Sequence, residues 1–215
     1  MLSIVVAFAG GFLAGLYARA VAAGFGPDPA DTRKEARYAF GALSRLPRPG
    51  RPPVVELATA TVCALVAWRA APPYLPGLAY AAVAGVLLAV VDWRTRRLPD
   101  VITIPSYPIL ALLLLPTGEL PRALLGGVAL AGVYGVLWFL RPHAMGLGDV
   151  KLAGLIGMVG GALGWQAWAV AALAGQFAGA LYAIGLLITK KGDKSTEFPF
   201  GPFMLIGALA AVCLA

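Results

Sequence analysis

Two carboxylates stand where an apolar chain has little reason to carry them. Asp149 heads a long apolar run in GLGDVK, and Asp92 closes another in VVDWRTRRLPD. An ionisable group at or in a hydrophobic segment is costly, so such residues are read first as functional. Two aspartates a few ångströms apart cannot both ionise cheaply, and one of them keeps a proton. A pair in that state can activate a water with one member and protonate a leaving amine with the other. Gly146 and Gly148 remove side chains beside Asp149, which opens the backbone to unusual dihedrals and to an extended strand of substrate. A helix starting at Asp149 would favour its ionised form by about 0.3–1 kcal/mol through the helix dipole. Spacing alone does not say which aspartate holds the proton.

Each acidic candidate also has a plainer reading. Asp149 could be an N-cap, since GD before an apolar run is an ordinary helix start. Asp92 could be a solvated helix-end residue paired with Arg94 or Arg96, and Asp100, after LP, is a good N-cap for the segment that follows. Glu56 could be no more than an acidic residue in a first helical turn, and His143, the one histidine, reads as a loop residue.

The elements that must position these residues are membrane helices. Of 215 residues 60% are hydrophobic and 13% charged, and mean hydropathy is +0.83, far from the usual mix of a soluble domain. The expected fold is an all-α polytopic membrane protein of about eight transmembrane helices, a single embedded domain over 1–215. The apolar segments are 2 to 24, 54 to 71, 75 to 92, 101 to 115, 122 to 140, 149 to 163, 165 to 188 and 199 to 215. The first lacks a basic region before it and reads as a retained helix instead of a signal peptide. The polar loop 26–53, rich in Pro and Arg, reads as a partly ordered linker. Cys63 and Cys213 lie in apolar runs and read as packing residues, and the glycine pairs Gly11/Gly15, Gly157/Gly161 and Gly175/Gly179 as close helix contacts.

Charge fixes the expected orientation. Of the 17 Lys and Arg, only Arg69 and Arg122 fall on one set of alternate loops; the other fifteen, Lys190, Lys191 and Lys194 among them, fall on the opposite set. That asymmetry places both termini outside and the charged loops in the cytoplasm. It also accounts for the net charge of +7 without nucleic acid, for which no lysine-rich block or basic patch with interleaved aromatics exists. In this topology the third segment ends at Asp92 and the sixth begins at Asp149, so the two carboxylates reach the same membrane depth.

These residues in this order resemble a family. DWRTRRLPDVITIP, then GLGDVKL with its aspartate 57 positions beyond the first (149 minus 92), then FPFGPFMLIG, are similar to the motifs of the prepilin peptidases, bacterial GxGD-type intramembrane aspartyl proteases. The resemblance covers essentially the whole chain. It implies that Asp92 and Asp149 are the catalytic pair, that Asp100 is the family's non-catalytic LPD aspartate, and that Lys151 is the supporting basic residue after GxGD. The implied reaction is removal of the leader peptide from type IV prepilin or pilin-like precursors at the cytoplasmic face of the bacterial cytoplasmic membrane. It needs no metal and no organic cofactor. Pro199, Phe200, Gly201 and Pro202 are expected to form a helix-breaking turn beside the substrate, or a plain Pro/Gly loop.

Long members of that family also methylate the new N-terminus and carry a zinc-binding insertion with two CxxC pairs between the first two helices. Here FGALSRLPRPGRPP leads directly into PVVELATA, with Glu56 at the matching acidic position, and the family's helix-one asparagine motif is not recognisable in GFLAGLYARAVA. The resemblance therefore leaves N-methyltransferase activity in doubt. Two other classes of function compete: an ion- or proton-coupled transporter, which calls for a mid-membrane acid or an inverted repeat, and a non-catalytic membrane subunit of a secretion or pilus assembly, which would tolerate replacement of either aspartate. The sequence shows neither a mid-segment acid nor a repeat, and it leaves the oligomeric state and the identity of the precursor open.

Overall fold

Nearly every apolar run becomes a helix at the expected place. The computed structural model describes residues 1–142, 145–189 and 198–215; His143, Lys190, Lys191 and Lys194 lie outside the described residues. Nine α-helices occur among the described residues, α1 (Leu2–Ala22), α2 (Thr32–Gly41), α3 (Val54–Arg69), α4 (Leu75–Thr95), α5 (Asp100–Leu114), α6 (Leu120–Leu140), α7 (Leu147–Leu163), α8 (Trp165–Ile188) and α9 (Gly201–Leu214), with no strand. Eight of them are the expected apolar segments, and no end differs by more than three residues. Five stretches, containing α1, α4, α5, α6 and α8, are long and apolar enough to cross a bilayer. The chain is an all-helical, multi-pass membrane protein.

The chain forms two compact units, Met1–Leu120 and Pro121–Ala215. In the first, α1 lies along α3 because glycines let the backbones meet. A Cβ on Gly11 would stand 2.8 Å from Cys63 Cβ, and one on Gly15 would stand 2.7 Å from Glu56 Cα. Helix α4 packs against both, and α5 against α4.

In the second unit α7 is the most enclosed element, buried continuously from Leu152 to Ala162. Helix α6 reaches it where Gly126 faces Gly157: a Cβ on Gly157 would stand 2.4 Å from the Gly126 carbonyl oxygen. Helices α8 and α9 meet in the same manner at Gly175 and Gly207. In an apolar solvent such contacts rest on dispersion and on the absence of side chains. The three glycine pairs therefore pack helices, as their spacing indicates.

The loop 26–53 is more ordered than a linker. Asp31 caps α2, its side chain accepting from Arg33 N at 2.9 Å and Lys34 N at 3.2 Å. Ala36 and Ala39 form the buried face, and Ala39 lies on Gly24 just beyond α1, where an added Cβ would stand 2.4 Å from Ala39 Cα.

Candidate active site

Asp92 sits in the last turn of α4. The helix stops because Arg96 turns left-handed (φ 53°), its N–H still reaching the Asp92 carbonyl at 2.8 Å. Asp92 is 4% exposed, so its carboxylate is not the solvated helix-end group of the plainer reading; Val91 and Thr95 beside it are also buried. A buried carboxylate must be satisfied by partners, and Asp92 has at least one.

Eight residues beyond Asp92, Asp100 opens α5. It is the first helical residue, and Pro99 occupies the cap position, so the N-cap expected at Asp100 is corrected by one residue. The Pro99 carbonyl instead accepts from Ile102 N, Thr103 N and Thr103 Oγ1. Asp100 is exposed and lines a cleft of about 530 Å³ between α2 and the α4–α5 turn, with Arg33, Glu35, Arg37 and Arg97.

Asp149 lies in the first turn of α7, and here too the cap reading is corrected. Gly146 is the N-cap, and Asp149 is three residues in; its Oδ2 accepts from the Gly146 N–H at 3.3 Å. A carboxylate at this position turns back on the helix start, the half of a capping box that a glycine cap allows. Gly146, Gly148, Asp149 and Lys151 thus share one helix start, with Asp149 and Lys151 half-buried.

Beside that turn is a set of residues the sequence reading did not single out. Gly135 of α6 faces Val150, the position of its absent Cβ being 3.9 Å from Val150 Cγ1. Next to Gly135, Tyr134 is 2% exposed. The Tyr134 ring lies 6.5 Å from that of Phe200. Phe200 in turn covers Gly179 of α8, where a Cβ would meet the ring at 2.6 Å. The FPFGPF stretch is therefore the start of α9, with Phe200 as cap, Gly201 first and Pro202 second, and Pro199 just before it. Phe198, Tyr182 and Phe203 pack together alongside, centroids 5.0–5.9 Å apart.

Glu56 is fully buried in the first turn of α3 and does more than balance a helix dipole. Its Oε1 accepts from Arg19 Nε at 2.7 Å and from the Gly50 N–H at 2.8 Å, while Oε2 has no hydrogen-bond partner among the described residues. Arg19 also donates to the Arg48 carbonyl. One carboxylate therefore fastens the end of the 26–53 segment to α1. The sequence offered a signal for this in Arg19, a lone cation near the end of an apolar helix. Asp92, Asp100 and Glu56 belong to the first unit; Asp149, Lys151 and the α9 turn belong to the second.

Residues 78–184 match the model of the type IV leader peptidase family. Among curated proteins, the chain is similar to the prepilin leader peptidase/N-methyltransferases of Aeromonas hydrophila (35% identical over 77% of this chain) and Aeromonas salmonicida (34% over 75%). That of Pseudomonas aeruginosa is 30% identical over 75% of the chain. The matched stretch spans only 57–59% of the length of these relatives. No solved structure matches. With both aspartate motifs inside the matched region, the chain belongs to the type IV leader peptidase family.

Proposed function

We propose that the protein is a membrane aspartyl endopeptidase that removes leader peptides from type IV prepilin or pilin-like precursors, with Asp92 and Asp149 as its acid/base pair. The observation that carries this reading is the family match, which runs through DWRTRRLPD and GLGDVK. In the proposed reaction the two aspartates share one proton. The ionised member takes a proton from water as the water oxygen attacks the scissile carbonyl; the protonated member then gives its proton to the leaving nitrogen as the C–N bond breaks. The products are a carboxylate on the leader and a free amine on the mature chain. The proposed setting is eight spans in the bacterial cytoplasmic membrane, both termini outside and both aspartates at the cytoplasmic end of their helices. Lys151, Glu56 and the Pro199–Pro202 turn take supporting roles, and Asp100 takes none in proton transfer.

The test is cleavage of a prepilin-like precursor by the purified, detergent-solubilised chain. Asp92→Asn and Asp149→Asn are each expected to lower kcat by about 10²–10⁴-fold, the usual worth of a general acid or base. Asp100→Asn is expected to retain activity. Normal cleavage by either of the first two would remove the pair from the mechanism and reopen a non-catalytic role in a membrane assembly. Analysis of the mature N-terminus by mass spectrometry decides on methylation, which this reading leaves out.

A further inference from the structure

We infer that the outer face of α2 and the turn after it, residues 33–46, is a docking surface for an anionic lipid leaflet. Printed contacts of the fold fix α2 where two apolar helices end. Ala39 lies on Gly24, two residues beyond α1. Glu35 Oε1 accepts from the Gly26 N–H at 2.8 Å. Arg97, two residues past the end of α4, donates to the Gly26 carbonyl at 2.8 Å and lies 3.7 Å from the same Glu35 oxygen. Both α1 and α4 are long and apolar enough to span a bilayer, and they pack on each other. Helix α2 is therefore held at the level at which both leave the membrane. Trp93, 56% exposed in the last turn of α4 beside Arg94, belongs to the same level, since tryptophan next to cations is the usual furnishing of a membrane interface.

With Ala36 and Ala39 turned inward, α2 presents a basic and apolar outer face. Arg33, Lys34 and Arg37 are exposed, as are Arg45, Arg48 and Arg51 beyond it. Residues 32–53 thus carry six Lys and Arg against one acid, Glu35, whose side chain is 9% exposed and engaged with Gly26 and Arg97. Asp31 lies 3.9 Å from Lys34 in an exposed pair, which neutralises little. Among these cations stand three large apolar side chains, Tyr38, Leu43 and Leu46, 78%, 50% and 79% exposed. Cations for phosphate headgroups and apolar groups for the acyl boundary are what an interfacial helix combines. An acidic protein would match the charge, but it would not call for the surface to be clamped at the bilayer level. The inference stands apart from the catalytic reading, because it involves neither aspartate.

The experiment measures amide hydrogen exchange of the full chain in nanodiscs of phosphatidylcholine alone and of an equal mixture of phosphatidylcholine and phosphatidylglycerol. A ten-residue helix is marginal by itself, so docking shows in its exchange. Each cation near an anionic surface shifts docking about fivefold. Exchange of residues 32–41 is expected to be about tenfold or more slower in the mixed discs, with the buried helix α7 unchanged as reference. The variant Arg33→Gln/Lys34→Gln/Arg37→Gln should bring the two discs to within about twofold of each other over these residues. Raising salt from about 0.15 M to about 1 M, which shortens the screening length from about 8 Å to about 3 Å, should do the same to wild type.

Equal exchange in the two discs overturns the inference and leaves the cations to water or to an acidic protein. So does protection that persists in the glutamine variant, or that slows α7 as much as α2. Should the variant fail to fold, the salt series on wild type decides: protection by phosphatidylglycerol that survives high salt is not charge docking, and the inference falls.

Discussion

Glycine contacts join helices in both units, but the two differ in what supplements those contacts. In Met1–Leu120 charged groups fasten the polar segment to helix ends: Glu56 joins Arg19 and Gly50, while Arg97 donates to the Gly26 carbonyl at 2.8 Å and lies 3.7 Å from Glu35. In Pro121–Ala215 the helices meet backbone to backbone at glycines, supplemented by donors aimed at main-chain carbonyls. Arg122 donates to Gly161 O and Ala162 O at 2.7 and 2.9 Å, and Trp168 Nε1 to Gly126 O at 2.9 Å. A charged clasp holds a segment that water can reach, and its loss is local. A glycine contact leaves no room for adjustment, because both sides are main chain and interiors are close-packed. The second arrangement suits the role proposed for Asp149, which would call for a rigid helix start.

The comparison breaks most sharply at Gly157. A leucine there drives its Cβ to 2.4 Å from the Gly126 carbonyl oxygen and 2.9 Å from its carbon. Neither atom can move without displacing α6. Overpacking costs typically 1–3 kcal/mol and more against backbone; about 3 kcal/mol corresponds to a fall in Tm of roughly 10 °C for a chain of this size. Thermal unfolding in detergent should show that fall, together with lost cleavage. A Gly157→Leu protein with wild-type Tm would mean that α6 and α7 do not depend on this approach.

How far these arrangements could be read from sequence follows from the same contrast. Apolar length and glycine spacing are periodic signals, so the eight apolar helices and all three glycine pairs are legible to within a turn. Helix α2 is not, because its surroundings are rich in Pro and Arg. Its signals were short: Asp31 as cap and Ala36 and Ala39 three apart on one face. The caps of α5 and α7 shift because an acidic residue near a helix start is equally at home at the cap and within the first turn; Pro99 and Gly146 take the cap here. Glu56 shows a different limit, since its partners Arg19 and Gly50 come from different stretches of chain and only folding joins them. Tyr134 is hidden for another reason: an isolated tyrosine in an apolar segment looks like packing.

The next effect in size is at Glu56. Alanine leaves the Gly50 N–H and Arg19 without their shared acceptor. Arg19 is one-third exposed and can turn to water, so the cost is that of the lost hydrogen bonds, about 2 kcal/mol. Loss of the clasp should show as faster tryptic cleavage at Arg45, the arginine of this stretch not followed by proline, with a fall in Tm of roughly 4–8 °C. Glutamine keeps an acceptor for Gly50 and should protect the segment better than alanine. Equal protection in wild type and Glu56→Ala would show that the polar segment is held by α2 and not by the carboxylate.

The smallest effect has the opposite sign and sharpens the glycine argument. Gly132, on the exposed side of α6, has nothing within 4 Å of where a Cβ would stand. It therefore keeps the conformational freedom of glycine in the unfolded chain with no contact in return. Gly132→Ala should stabilise the protein by about 0.5–1 kcal/mol through helix propensity and unfolded-state entropy. A rise of a few degrees in Tm is the expected reading, at unchanged kcat and KM. If Gly132→Ala lowers Tm instead, this face of α6 is covered by something outside the chain, and close packing at glycine extends beyond the internal contacts of the second unit.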